Sequence, residues 1–292
     1  MKILLLGSNG QLGWEILRMA KEGVIECLGL DRPQFDVTDH QALEKAVGKR
    51  RFSVVINASA YTAVDKAESE RDEAFAVNAE GPGYLASVCT QQDIPLIHIS
   101  TDYVFDGLKG SPYVETDPIC PTSAYGESKA AGEHAVRDHL EAHLILRTSW
   151  LYSTHGNNFV KTILRLASER EELHVVADQY GCPTYAADLA AAILHIAKHI
   201  QSGRAILWGT YHYCGKGVTT WHSFAERICE LARIHVPVQV QRIKAISTED
   251  YPTPAKRPPY SALDCSKIER SFGIKTRLWQ DSLAEMLGKM FS

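Results

Sequence analysis

The chain opens with an apolar run, Ile3-Leu4-Leu5-Leu6, that leads directly into Gly7-Ser8-Asn9-Gly10-Gln11-Leu12-Gly13. Three glycines at this spacing, between a strand and a helix, leave few architectures open. The first permits the positive φ of a tight turn, the second lets a phosphate approach the backbone, and the third lets the helix pack on the strand. The helix start adds unpaired N–H groups and the positive end of its dipole. Gly7, Asn9, Gly10, Gln11, Leu12 and Gly13 are therefore read as a pyrophosphate-binding turn.

The following rhythm supports that context. Apolar runs at 2–6, 24–30, 52–56, 95–100, 144–148 and 173–177 suit strands buried on both faces, and helical patterns at 11–21, 40–49, 72–91 and 125–139 separate them. Alternation of this kind predicts an α/β fold, a Rossmann-type doubly wound parallel sheet. After about residue 150 the rhythm changes. The sequence predicts a sheet domain over 1–150, with about 173–203 returning to it, and a smaller mixed α/β cap from about 151–172 and 204–292.

Composition excludes other classes. The 292 residues carry a formal charge of -4, 23% charged and 45% hydrophobic residues, which is ordinary for a globular protein. No apolar run reaches the roughly 18 residues of a membrane helix, and a strand starting at Lys2 leaves no room for a signal peptide. A cytoplasmic protein is expected. Seven cysteines without a CxxC pair indicate neither a disulfide framework nor a zinc knuckle, and are read as reduced and mostly buried. The twelve histidines form no HExxH pattern, and no metal site is expected.

Asp31, 18 positions after Gly13 at the end of the second strand, is placed to accept adenosine ribose hydroxyls, which favours NAD. Arg32 beside it admits NADP, so NADH and NADPH both stand. Asp36 and Val37 could flank the adenine. Ala58, Ser59 and Ala60, continuing into Tyr61 and Thr62, follow a strand with small residues against which a cofactor can lie. Asn78 is grouped with them, hydrogen bonding inside its own helix being its other reading.

Tyr125 and Lys129 stand at i and i+4 on a helix, hence on one face. A neighbouring ammonium and the helix start both stabilise a phenolate, bringing proton exchange by Tyr125 toward neutral pH. Thr101 and Asp102 end the strand at 95–100, on the side where doubly wound sheets bind ligands.

Read together, GSNGQLG (7–13), NASAYTAVDKAE (57–68), AVNAEG (76–81), STDYVFDG (100–107), YGESK (125–129), RTSWLY (147–152), GNNFVKTILRLA (156–167), DQYGCPT (178–184) and PAKRPPYSALD (254–264) resemble the dTDP-4-dehydrorhamnose reductases, within the extended short-chain dehydrogenase/reductase superfamily. The resemblance spans the chain in order. It implies NAD(P)H-dependent reduction of the C4 ketone of dTDP-6-deoxy-L-lyxo-4-hexulose, the last step to dTDP-L-rhamnose for cell-surface polysaccharide. Tyr125 would then donate a proton, Lys129 would tune Tyr125 and hold the nicotinamide ribose, and Thr101 would hydrogen-bond the substrate oxygen.

Substrate contacts are expected from Thr101, Asp102, Val104, Trp150, Asn158 and Arg257, with Asn157 and Gln179 as further polar candidates. Residues 240–279 carry eight Lys plus Arg against four Asp plus Glu, a basic segment that fits a diphosphate. Arg257 is the preferred anchor there, because its fork binds two oxygens; a surface arginine is its other reading. Some relatives bind Mg²⁺ between subunits through acidic side chains. Here Glu15 fits that pattern but Ala187 and Lys289 stand at the matching later positions, so monomer and homodimer are both open.

Rival readings differ at particular residues. A 4-epimerase would share Tyr125 and Lys129, but the STDYVF and RTSW blocks disfavour it. A nucleotide-sugar 4,6-dehydratase would place glutamate after Thr101-Asp102, where this chain has Tyr103. A reductase giving the C4 epimer differs only in sugar orientation. A non-catalytic subunit, like the regulatory subunit of methionine adenosyltransferase, shares the fold, but Tyr125, Lys129 and Thr101 are intact. Overall acidity speaks against nucleic acid as a partner.

Overall fold

In the computed structural model, which describes residues 1–48 and 51–292, the strands are β1 (Lys2–Leu6), β2 (Glu26–Leu30), β3 (Val54–Asn57), β4 (Leu96–Thr101), β5 (His143–Thr148), β6 (Leu151–Tyr152), β7 (Glu172–Val176), β8 (Tyr180–Gly181), β9 (Thr184–Tyr185), β10 (Gly209–His212), β11 (Thr219–Thr220) and β12 (Arg242–Ile246). The helices are α1 (Gln11–Glu22), α2 (His40–Gly48), α3 (Arg71–Phe75), α4 (Gly81–Gln91), α5 (Ala124–His139), α6 (Phe159–Glu169), α7 (Ala186–Gln201), α8 (Trp221–Ala232), α9 (Ser266–Phe272) and α10 (Trp279–Phe291). The predicted helix at 40–49 is described as far as Gly48, and Lys49 lies outside the described residues.

Six parallel strands form the main sheet in the order β10-β5-β4-β3-β1-β2. The chain leaves β1 toward β2 on one side and returns to β3 on the other. This reversal opens a crevice at the carboxyl ends of β1 and β3, where such sheets bind ligands. The Ile3, Leu5, Ile56 and Leu146 face packs under α1 and α7, and the Leu4, Leu6, Val55 and Ile145 face packs under α2, α4 and α5. The sheet is covered on both sides, which is why its strands read as continuous apolar runs.

A second core gathers α6, α8, α10 and β7 around Tyr152, Ile163, Phe224, Ile228, Trp279 and Leu283. Two segments depart from expectation. The strand at 173–177 looked like a sheet strand, yet β7 pairs only with β12 outside the main sheet. Conversely, Gly209–His212, expected within the cap segment 204–292, is the main sheet's edge strand, paired with β5.

Candidate active site

One cleft of about 940 Å³ runs along the carboxyl ends of the sheet. At its floor, Gly7 has φ +80°, and a Cβ there would lie 2.6 Å from the Ala58 backbone. A Cβ on Gly13 would lie 2.1 Å from the Gly7 carbonyl oxygen. These two glycines are required by the protein itself. Gly10 differs: its Cβ would meet no protein atom nearer than 3.5 Å. It caps α1 without a side-chain bond, and it borders the cleft with Asn9, Gln11 and Leu12. The bare backbone cradle at the start of α1 fits a pyrophosphate.

At the end of the cleft beyond β2, Asp31 accepts from the Asn9 backbone N–H at 2.6 Å and from the Arg32 N–H at 2.7 Å. Arg32 borders the cleft and pairs with Asp36 at 2.8 Å. Val37 and Phe35 supply apolar wall. Asp36 does not line the cleft; its carboxylate accepts from the Thr38 N–H and hydroxyl, closing an Asx turn that starts the approach to α2.

Ala58, Ser59, Ala60, Tyr61 and Thr62 follow β3 along the cleft. Asn78 stands behind them, fully buried in the π-helical turn Ala76–Glu80 between α3 and α4. Its amide accepts from the Tyr61 N–H and donates to the Tyr61 carbonyl and the Ser128 hydroxyl. Asn78 therefore holds the cofactor-facing loop and α5 together without lining the cleft. Its bonds cross between segments, whereas the sequence left only cofactor contact or an intrahelical bond open.

Tyr125, Lys129, Thr101 and Asp102 converge at the other end of the cleft. Ser123 caps α5, accepting from the Gly126 N–H at 3.2 Å, so Tyr125 sits in the first turn. Lys129 donates to the Ile99 carbonyl at 2.7 Å. Burial pushes Lys129 down to about 8, with Glu133 working against it. Tyr125 contradicts the expected acidification: burial pushes it up to about 12, with a hydrogen bond from Thr101 opposing. Desolvation dominates at this half-buried ring, and the Asp102 charge acts in the same direction. Tyr125 is thus held as a neutral phenol, a proton donor rather than a base.

Sequence reasoning missed what lies beneath Lys129. Glu133, one turn further along α5 and with no exposed surface, accepts from Arg147 at 2.8 and 2.7 Å and from Arg137 at 2.7 Å. Although burial pushes its carboxyl up, the Arg147 fork outweighs it and holds Glu133 at about 2. The signal available was Tyr125-Lys129-Glu133 at i, i+4 and i+8.

On the cap side, Trp150 borders the cleft at φ +46°, a conformation uncommon for a bulky residue, and stacks on Trp221 with ring centroids 3.5 Å apart. Asn158 caps α6 and donates to Gln11 at 3.0 Å, tying the cap to the phosphate turn. Asn157 and Asn158 both border the cleft, while Gln179 donates to Thr248 away from it.

Two expected substrate residues are placed elsewhere. Val104 is fully buried against Phe105 and Tyr113. The Arg257 fork closes on Asp65, Nη1 to Oδ1 and Nη2 to Oδ2 both at 2.7 Å, so it is not free for a diphosphate. None of the eight basic residues of 240–279 borders this cleft. Glu15 pairs with Arg18 and accepts from Ser153, and no metal-ligand cluster occurs among the described residues.

Three buried polar atoms in the cleft wall have no partner: Ser100 Oγ, Thr148 Oγ1 and Asp102 Oδ2. Buried polar groups are normally satisfied, so this wall awaits a polar ligand. Together with the cradle at Gly10, it fits a dinucleotide and a polar second substrate.

Comparison with known proteins agrees with this geometry. The family model described as RmlD substrate binding domain matches residues 1–292. A dTDP-4-dehydrorhamnose reductase of Sinorhizobium fredii is 43% identical over 290 residues, covering 98% of this chain and 97% of that protein. A crystal structure of such a reductase from Clostridium acetobutylicum superposes with a TM-score of 0.92 at 40% identity, covering 99% of each chain. One from Bacillus anthracis in complex with NADP superposes at 0.91 with 36% identity, covering 99% of this chain and 100% of that one.

Proposed function

The chain belongs to the RmlD substrate-binding-domain family, that of the dTDP-4-dehydrorhamnose reductases, and from that premise we propose how its own residues carry the reaction. The enzyme reduces the C4 ketone of dTDP-4-dehydro-L-rhamnose (dTDP-6-deoxy-L-lyxo-4-hexulose) to dTDP-L-rhamnose. When bound, NAD(P)H supplies the hydride, with its pyrophosphate on the backbone of Gly7 to Gly13 and its adenosine between Asp31, Arg32 and Val37. A relative 36% identical to this chain carries NADP.

Reduction builds negative charge on the ketone oxygen, which a positioned donor must meet. Tyr125, neutral at physiological pH, gives its phenolic proton to that oxygen. Lys129, anchored on the Ile99 carbonyl, holds the nicotinamide ribose hydroxyls and steadies the phenolate left behind. Thr101, within hydrogen-bonding reach of Tyr125, orients the same oxygen. Trp150 covers the sugar, and Asp102, Ser100 and Thr148 meet its hydroxyls. The convergence of Tyr125, Lys129 and Thr101 beside these unpartnered polar atoms carries the reading. Seven cysteines without a disulfide fit a cytoplasmic setting.

The test is oxidation of NADH and NADPH by purified protein with and without the 4-keto-L-sugar nucleotide, followed by NMR of the product. Turnover giving the L-rhamno configuration is expected. The C4 epimer, or no turnover with tight binding to another protein, would overturn it.

A further inference from the structure

Away from the active site, a second cleft of about 500 Å³ is lined by three thiols, Cys182, Cys214 and Cys265, which the reductase chemistry does not use. Cys214 follows β10 and is buried, whereas Cys265 precedes α9 and is half-buried at the cleft wall. Their sulfurs are 3.6 Å apart, and the Cys214 backbone N–H donates to the Cys265 sulfur at 3.3 Å. Their separation of 51 positions in sequence hides this pairing completely.

We propose that Cys214 and Cys265 form a dithiol site for hydroperoxides, which converts them into a disulfide. Cys265, the accessible partner, attacks the distal peroxide oxygen. The O–O bond breaks, Cys265 becomes a sulfenic acid and, for hydrogen peroxide, water leaves. The Cys214 sulfur then attacks the sulfenic sulfur, the S–S bond forms and a second water leaves. Two thiols lose two electrons and two protons, and one peroxide is reduced to two waters. Hydrogen bonds with Cys182 and Cys265, and burial after them, push the Cys214 thiol up, which keeps it protonated and leaves the first attack to Cys265. The charges at the cleft, Lys216 and Lys275 against Asp264 and Glu269, balance; proximity carries the proposal.

Closing the bond shortens the sulfur separation to about 2.05 Å, a movement of about 1.5 Å shared by the two segments. The Cys214 side cannot yield freely. Gly215 donates to the Thr184 hydroxyl at 3.3 Å, and a Cβ there would lie 2.1 Å from the Pro183 carbonyl oxygen. Thr184 in turn donates to the Trp150 carbonyl at 3.1 Å, and Ser149, beside Trp150, donates to the Cys182 carbonyl at 2.7 Å. Whatever part of the movement falls on the Cys214 side is therefore passed through Gly215 and Thr184 to the wall that holds Trp150.

The full-length protein would be treated with hydrogen peroxide, alkylated, digested without reduction and mapped by mass spectrometry. A Cys214–Cys265 linked peptide is expected, with free thiols falling from seven to five and recovering on dithiothreitol. Cys265→Ser should lose the link, and Cys120→Ser, altering an exposed thiol elsewhere, should keep it. A different pairing, or Cys265 over-oxidised with no link, would overturn the site. In a second arm, which rests on the reductase reading, turnover should fall several-fold on oxidation and recover on reduction. Unchanged turnover in protein shown to carry the link would overturn the coupling to Trp150 alone.

Discussion

Glu133 and Arg147 meet side-on as a buried bidentate pair, 2.8 and 2.7 Å across the gap between α5 and β5. The pair fastens the helix that bears Tyr125 and Lys129 to the strand that runs toward Trp150. It also places a carboxylate one turn below the Lys129 ammonium, opposing the desolvation that lowers Lys129. One ion pair thus serves both the placement and the charge of the site.

Glu133→Gln tests both roles. Arg147 is left as a buried charge without its counter-ion, which costs roughly 3–5 kcal/mol by the precedent of broken buried pairs, read by urea unfolding. Lys129 loses its supporting charge, so the limb of the pH–rate profile that reports it should move to lower pH. A stability loss with an unmoved profile would leave Glu133 a purely structural residue.

Tyr125→Phe removes the proton donor while keeping the ring and its edge contact with Tyr103. Turnover should fall by about 10²–10⁴, the usual worth of a positioned acid, with NADPH affinity by fluorescence titration unchanged. Full turnover would remove Tyr125 from the chemistry.

Asp102 makes stability depend on pH. Burial pushes it up to about 7, against the hydrogen bond that Thr101 donates to Oδ1, while the unfolded carboxyl titrates near 3.9. Between these values the folded state keeps a proton that the unfolded state has lost. Its stabilising contribution is therefore full below about pH 4 and lost as pH rises through 7. At about 1.4 kcal/mol per unit this amounts to a few kcal/mol. Asp102→Asn should be more stable than wild type at pH 8 than at pH 4.5, compared by urea unfolding. A constant difference across that range would refute the assignment.

What could be read from the chain follows from which contacts are local. Strands β1, β3, β4 and β5 are visible because burial on both faces leaves an apolar run, whereas β2, at the sheet edge, is only partly buried. β10 was hidden because Gly209-Thr210-Tyr211-His212 contains one apolar ring, and its place at the sheet edge is decided by pairing with β5. β7 carried the same apolar signal and went to a different sheet. Motif spacing singles out the glycine turn and the Tyr125–Lys129 face, which border one cleft, since both lie within one or two helical turns. It misplaced Arg257, whose partner Asp65 is 192 residues away, and Val104, which shares a motif with Thr101 yet points into the core.

Arg32 is predicted to set the choice between NADPH and NADH. Half exposed at the adenosine end and paired with Asp36, it can turn its guanidinium to a 2'-phosphate, while Asp31 serves the ribose hydroxyls. Arg32→Ala should raise the KM for NADPH about tenfold or more, the loss of one charge-assisted contact, and leave that for NADH nearly unchanged. Equal loss with both cofactors would mean that Arg32 only supports the loop.

The three glycines of the phosphate turn should fail in different ways. Alanine at Gly13 drives a methyl group to 2.1 Å from the Gly7 carbonyl oxygen, and both atoms belong to backbone held by β1 and α1. No rotamer change relieves that contact, so the strand and helix must separate and the melting temperature must fall. Alanine at Gly10 meets nothing in the protein closer than 3.5 Å. The fold and its melting temperature should survive, while the added methyl occupies the cradle that the pyrophosphate needs. Gly10→Ala should therefore weaken NADPH binding at unchanged apoprotein stability, and Gly13→Ala should lower both. If Gly10→Ala bound NADPH normally, the pyrophosphate would have to lie elsewhere along the cleft.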